Sequence, residues 1–307
     1  MMHKDIKMKI RATERIHKVT RAMEAVSAVK MRKTQAMEVA GRPYVTASLS
    51  ILSRLTGTRE LAHHPLTRSR IVKKLALVLI TSDKGLAGSI NSGVIKMAVA
   101  AINEHDIDTA SAVDLYVFGK KGQEYFARRN YTIKEFFENT YDEAPLSVVK
   151  KLSEDFITAF TGEVYDEVLI AYSHFKSTIQ HIPMVHRLLP LSLEAVEGLA
   201  QDIAPDVAKW KKTSVTSGLV AYEMESSYTD VFAALAPRLL SVSLYHLLLE
   251  SKAVEHSSRM IAMKNASDKS KDIIHALTSK YNKARQATIT REVSEIVGGR
   301  EALETHA

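Results

Sequence analysis

Helix-breaking residues are missing from both ends of this 307-residue chain, and nothing else in the sequence limits its fold so strongly. All seven prolines lie between Pro43 and Pro237. Ten of the twelve glycines lie between Gly41 and Gly218, and the other two are Gly298 and Gly299. Residues 1–40 and 238–297 therefore contain neither. Both segments are rich in Ala, Met, Leu, Lys, Arg and Glu, which lose little freedom in a helix. The second would extend roughly 90 Å at 1.5 Å per residue. A helix that long needs a partner along most of its length, which suggests a coiled coil. Ordinary amphipathic bundle helices are the alternative.

The periodicity agrees in part. Ala12, Ile16, Val19, Met23 and Val26 follow a 4-3-4-3 spacing, as do Ser270, Ile274, Leu277, Tyr281 and Ala284. Near the end the seam shifts to Ile289, Val293 and Ile296, a stutter. The natural partner of each terminal helix is the other, paired antiparallel.

The middle of the chain reads differently. Leu75 to Thr81 is a continuous apolar run typical of a buried strand. A turn from Ser82 to Ser89 precedes a helix over Ile90–Asn103. Val113–Gly119 reads as a second strand, followed by a helix from Lys120 to about Arg129. Tyr131–Phe137, Tyr165–Phe175 and Ile182–Leu189 read as further strands, with a helix over 146–160 after Pro145. Strands alternating with helices point to an α/β layer with a mainly parallel sheet. Residues 195–235 read as a connection with some helix, ending near Pro237.

Little of this supports catalysis. The turn Thr81-Ser82-Asp83-Lys84-Gly85-Leu86-Ala87-Gly88-Ser89 occupies the strand-to-helix position where phosphates are cradled in nucleotide-binding folds. It is neither G-x-G-x-x-G nor a Walker A loop, because its lysine precedes the glycine. A tight turn without a nucleotide is expected. His63, His64, His174, His181 and His186 lack metal-ligand spacing, and no G-x-S-x-G elbow is present. No cofactor or metal is expected.

Charge and composition narrow the classes further. With no cysteine, disulfides and thiolate metal sites are excluded. No signal peptide or uncharged apolar stretch of membrane-spanning length is apparent, so work at a membrane would go through partners. The net charge is +7, and residues 1–33 carry ten Lys/Arg against three acids. Such an end implies an anionic partner. Its charges alternate with an apolar stripe, and residues 1–43 hold no Phe, Tyr or Trp for base stacking. A helix surface facing an acidic protein is simpler than nucleic-acid binding. Three classes stay open: a structural shaft, a basic nucleic-acid binder, and a nucleotide-dependent enzyme built on the middle.

Particular blocks carry a family resemblance. Ile16-His17-Lys18-Val19-Thr20-Arg21-Ala22-Met23-Glu24-Ala25-Val26-Ser27-Ala28-Val29-Lys30-Met31-Arg32-Lys33 resembles the N-terminal helix of the γ subunit family of F-type ATP synthases. The turn Thr81–Gly88 is similar to that family's T-S-D-[RK]-G-L-C-G, and Leu188-Leu189-Pro190-Leu191 to a strand end in many members. The most specific blocks are C-terminal: Arg259-Met260-Ile261-Ala262-Met263-Lys264-Asn265-Ala266-Ser267-Asp268, and Tyr281 through Gly299. Ala87 and Ser89 depart from the family's Cys and Gly. The cysteine-bearing insert of the chloroplast type is absent, and the connection around 195–220 looks longer than in short bacterial members.

The resemblance implies an α/β fold plus a long antiparallel coiled coil, with the N- and C-terminal helices paired and a central Rossmann-like α/β domain. It implies a helix over 1–58, an α/β domain over 72–192, a connection over 193–236 and a helix over 237–300. It further implies a non-catalytic rotating shaft that couples an ion-driven membrane ring to ATP synthesis or hydrolysis. The implied partners are the α and β subunits of the head, the ε subunit and the c-subunit ring, with no nucleic acid and no direct membrane insertion. The implied place is peripheral, on the cytoplasmic face of a bacterial plasma membrane. Carried over by motif, Met23, Arg259, Arg285, Gln286 and Thr290 are the expected partner contacts.

Overall fold

In a computed structural model, the residues described are 2–55, 61, 64–105, 110–138, 146–192, 194–196, 198–199 and 227–305. The ordered elements are α1 (Met2–Leu55), β1 (Leu75–Ile80), α2 (Ile90–Glu104), β2 (Val113–Phe118), α3 (Lys120–Ala127), β3 (Thr132–Phe137), α4 (Leu146–Thr161), β4 (Glu167–Phe175), β5 (His181–Leu189) and α5 (Tyr228–Thr305). They fall into two units. One comprises Met1–Ser27 with Met260–Ala307, and the other Ala28–Arg259.

The second unit is built on a five-stranded sheet of order β3-β2-β1-β4-β5. The first four of these are parallel, and β5 runs antiparallel to β4. Every residue of β1 and β2 is buried, as continuous apolar runs require when helices cover both faces. Alternate residues feed two cores. Leu75, Leu77, Leu79, Leu115 and Val117 pack with Val94, Ala98 and Ile102 of α2 and Phe126 of α3. On the opposite side Ala76, Val78, Ile80, Tyr116 and Ile170 pack with Phe156 and Phe160 of α4 and with Leu240, Leu244 and Leu247 of α5.

Where the sequence suggests α5 starting at Pro237, the helix begins nine residues earlier, at Tyr228, with Pro237 inside it. Phe232, Ala236 and Leu239 are buried in the α4-side core, and this tertiary burial carries the helix through the proline. The same packing explains why α5 contains a stretch apolar enough to cross a membrane by length and composition. Half of that stretch is buried inside the protein.

The turn after β1 joins the sheet to its helices through polar contacts. Thr81 Oγ1 donates to the Phe118 and Gly119 carbonyls at 3.0 and 3.2 Å, and accepts from the Gly122 N–H at 2.9 Å. Asn91 accepts from the Ser82 N–H at 2.9 Å and donates to Ser82 Oγ at 2.8 Å. Asp83 accepts the exposed Lys120 N–H at the start of α3, at 3.0 Å.

Gly119 sits at φ +95°, and a Cβ there would lie 2.1 Å from the Thr81 carbonyl oxygen. Neither the torsion nor the space admits a side chain. Gly119→Ala is expected to cost at least about 2 kcal/mol of unfolding free energy, read from the urea midpoint.

Candidate partner-binding surfaces

The first unit is an antiparallel helix pair. His17 Nδ1 of α1 lies 3.0 Å from the Ser267 carbonyl oxygen and 3.1 Å from its Oγ on α5. The inward positions on α1 are Ile6, Ile10, Thr13, His17, Thr20, Glu24 and Ser27, a 4-3 repeat. On α5 they are Met263, Ser267, Ser270, Ile274, Leu277, Tyr281, Ala284 and Thr288. The α5 seam is the one its spacing suggests. The α1 seam lies one position beyond the expected Ala12, Ile16, Val19, Met23 and Val26.

The correction has a physical cause. Three of the seven inward positions of α1 carry hydroxyls, Thr13, Thr20 and Ser27, and backbone carbonyls accept from the two threonines. Thr20 Oγ1 donates to the Ile16 carbonyl at 3.0 Å, and Thr13 Oγ1 to that of Lys9 at 2.9 Å. On α5, Ser270 Oγ donates to the Ala266 carbonyl at 2.7 Å. Such back-bonding lets Ser and Thr sit in a seam without leaving a polar atom unmatched. The more hydrophobic stripe is thereby turned outward: Ile16, Val19, Val26 and Val29 are 54%, 57%, 56% and 67% exposed.

The stutter expected at Ile289, Val293 and Ile296 is not a seam either. All three are exposed, as is every described side chain from Ile289 to Arg300. Thr288 is the last half-buried position of α5, and the described side chains beyond it, to Arg300, are exposed.

The five expected contact residues occupy three environments. Met23 is half-buried on α1, while Arg285, Gln286 and Thr290 are exposed on α5. From the His17–Ser267 register, Met23 lies level with about residue 261, roughly 36 Å along the pair from Arg285 at 1.5 Å per residue. They form two patches rather than one site.

Arg259 belongs to the second unit and is only 9% exposed. Its Nη2 donates to Glu255 Oε1 at 2.8 Å and to the Lys84 carbonyl at 3.4 Å. Beside it, Ser258 Oγ donates to the Ala87 carbonyl at 2.6 Å. These two residues fasten α5 to the turn after β1. No sequence signal separates such an arginine from one that faces a partner. Ser258 lies just outside the motif that begins at Arg259, and nothing in the local sequence marks its role.

The second unit also holds an acid–histidine cluster where α1, β4 and α5 meet. Glu38 accepts from Arg42 at 3.2 Å and lies 3.6 Å from His246 Nε2. Glu250 lies 2.7 Å from His174 Nδ1 and accepts the Phe175 N–H at 2.9 Å. Burial pushes the His246 imidazole down to about 4, with Glu250 opposing and Arg42 and His174 reinforcing. Burial raises the Glu38 carboxyl above its usual range, against the pull of Arg42. Among the described residues, no three His, Asp or Glu side chains are grouped to hold a metal ion.

The comparisons with known proteins agree with this geometry. The family model described as ATP synthase matches residues 2–303. The ATP synthase gamma chain of Pelotomaculum thermopropionicum is 36% identical over 301 residues, covering 98% of this chain and 99% of that one. The gamma chain of Brevibacillus brevis is 34% identical over 299 residues, covering 97% and 98%. The chain belongs to the ATP synthase gamma family. A gamma subunit is a non-catalytic stalk component of a membrane-associated complex, with catalysis in the beta subunits. Among solved structures, the central stalk and c-ring of Tetrahymena thermophila mitochondrial ATP synthase contains a chain similar at TM-score 0.58 and 25% identity, over 81% of this chain and 99% of that one. A Euglena gracilis mitochondrial ATP synthase structure contains one similar in fold at TM-score 0.64 and 16% identity, over 98% and 94%.

Two expectations follow. Because Ile16 and Val19 of this gamma-family chain are exposed, Ile16→Ser and Val19→Ser leave the isolated chain's unfolding free energy within about 0.5 kcal/mol. His17→Ala removes a cross-helix bond and lowers it by about 1 kcal/mol; urea titration measures both. The second concerns pH. His246 stays neutral in the fold down to about 4, whereas the unfolded residue takes its proton near 6.5. Its contribution is therefore full above pH 6.5 and is lost as pH falls toward 4. Glu38, with its raised value, has the opposite sign: its burden at neutral pH eases as it protonates. His246→Gln is expected to flatten the loss of stability below pH 6.5 in urea midpoints measured across that range.

Proposed function

We propose that this chain is the rotating central shaft of an F-type ATP synthase. It couples ion-driven rotation of the membrane ring to ATP synthesis, or to hydrolysis in reverse. The observation that carries this reading is the outward apolar stripe of α1. A helix that buries Thr20 and Ser27 and exposes Ile16, Val19, Val26 and Val29 is built to run inside another apolar surface. In the family that surface is the sleeve of α and β subunits.

In this reading Met23, Arg285, Gln286 and Thr290 contact the α and β subunits at two heights on the shaft. The basic residues of α1 face acidic loops of the head. Arg259 contributes indirectly, by holding α5 to the turn at Lys84. The α/β unit serves as the foot that meets the ε subunit and the c-subunit ring. No nucleic acid, cofactor or direct insertion into the membrane is required. The complex places the chain peripherally, on the cytoplasmic face of a bacterial plasma membrane.

Assembly tests the proposal. Mixed with its α and β subunits, the chain is expected to purify in a one-to-three-to-three complex, and a probe on the foot should rotate when ATP is supplied. Absence of the complex at low salt, or steep salt-dependent binding to random duplex DNA instead, would sink the reading. Deleting residues 285–307 should weaken coupling or assembly far more than folding, since the described side chains beyond Thr288 are exposed. The unfolding midpoint of the truncated chain should move by no more than about 2–4 °C, the shift that 1 kcal/mol produces at this size.

A further inference from the structure

The face of the sheet covered by α2 and α3 carries an open groove that neither the helix pair nor the turn accounts for. It encloses about 410 Å³ between the two helices. Its floor is apolar. Ile95 is buried in the α2-side core, and Val99 and Tyr125 lie half-buried against that core.

Its rims are cationic. Lys96 stands exposed on α2, and Arg128 is exposed just past the end of α3. Lys121 is bonded to Glu124 at 2.8 Å, the one carboxylate among the lining residues. The Arg129 guanidinium lies 3.7 Å from the Tyr125 ring centroid, which fixes the cation beside the floor. Four cations thus face one carboxylate.

The positive groups are spread over both helices rather than gathered at one point. That arrangement suits a row of carboxylates better than a single phosphate. A trough with an apolar floor and charged rims receives an amphipathic helix, with apolar residues down and charges at the edges. A floor of Ile, Val and Tyr without convergent polar groups gives a small polar ligand nothing to orient it.

We propose that the α2/α3 groove docks an acidic, amphipathic segment of another subunit of the complex. The inference rests on the assembly proposed above and adds a contact surface on the foot. Charge complementarity supplies its orientation and its salt sensitivity.

The chain has no cysteine, so Ser92→Cys places one thiol at the groove. Labelled there with a photo-crosslinker before assembly into the full complex, the chain is expected to give an intersubunit product. Mass spectrometry should place its partner peptide in an acidic segment. Lys96→Glu with Arg128→Glu should lower the yield at least fivefold, and the neutral pair Lys96→Gln with Arg128→Gln by an intermediate factor. Both pairs are exposed, and unchanged far-ultraviolet circular dichroism checks that they fold. An assembled complex that gives no product, a product within the chain, a lipid adduct alone or a basic partner peptide overturns the groove and leaves the shaft standing. A chain that never enters the complex overturns both, and subunit stoichiometry separates that case.

Discussion

Thr20 and Ser27 on α1, with Ser267 and Ser270 on α5, occupy the buried line between the two helices. At these four positions the side chains are small and polar, and the seam becomes apolar farther along, with Ile6 and Ile10 on α1 and Ile274, Leu277 and Tyr281 on α5. His17 against Ser267 supplies the cross-helix bond. The outer faces follow from that choice. Each helix has one strongly apolar stripe available, and on α1 the small polar seam leaves that stripe to the outside. A shaft held by an ordinary leucine seam would have a polar exterior and nothing to grip. Here Ile16, Val19 and Val26 stay on the outside of the pair.

The sheet unit uses its polar groups in the opposite way. The turn after β1 occupies the crevice where many α/β folds bind phosphate. Here Thr81, Ser82, Asp83 and Asn91 bond to neighbouring backbone and to each other, and α5 is fastened over the turn through Ser258 and Arg259. The same location thus serves as a joint. A joint of several side-chain and backbone bonds holds this part of α5 to the sheet with little slack.

Much of the fold was legible because its signals are local. The strands and the helices between them fall within about two residues of their expected limits, since buried parallel strands are continuous apolar runs bounded by turns. The α1 seam was misread by one position because periodicity reports where apolar residues recur, not which neighbour they meet. Val19 and Thr20 fit equally good repeats, and only the partner decides. Pro237 looked like a boundary because the burial of Phe232 and Ala236 is a tertiary fact. Arg259 stands out by its motif, but its half-buried bond to the Lys84 carbonyl spans 175 positions and leaves no trace in the local sequence. Arg285, Gln286 and Thr290 stand exposed, where one chain alone gives no contact to examine.

The exposed stretch of α5 beyond Thr288 has a consequence for the stiffness of the helix end. A lone helix of about 12–15 residues is marginal in water, and Gly298 and Gly299 each weaken it by about 1 kcal/mol relative to alanine. Its helicity depends on what surrounds it. Enclosed, it is a stiff pin; freed, it frays. The end of α5 is therefore compliant, able to yield and reform while the paired helices keep their register.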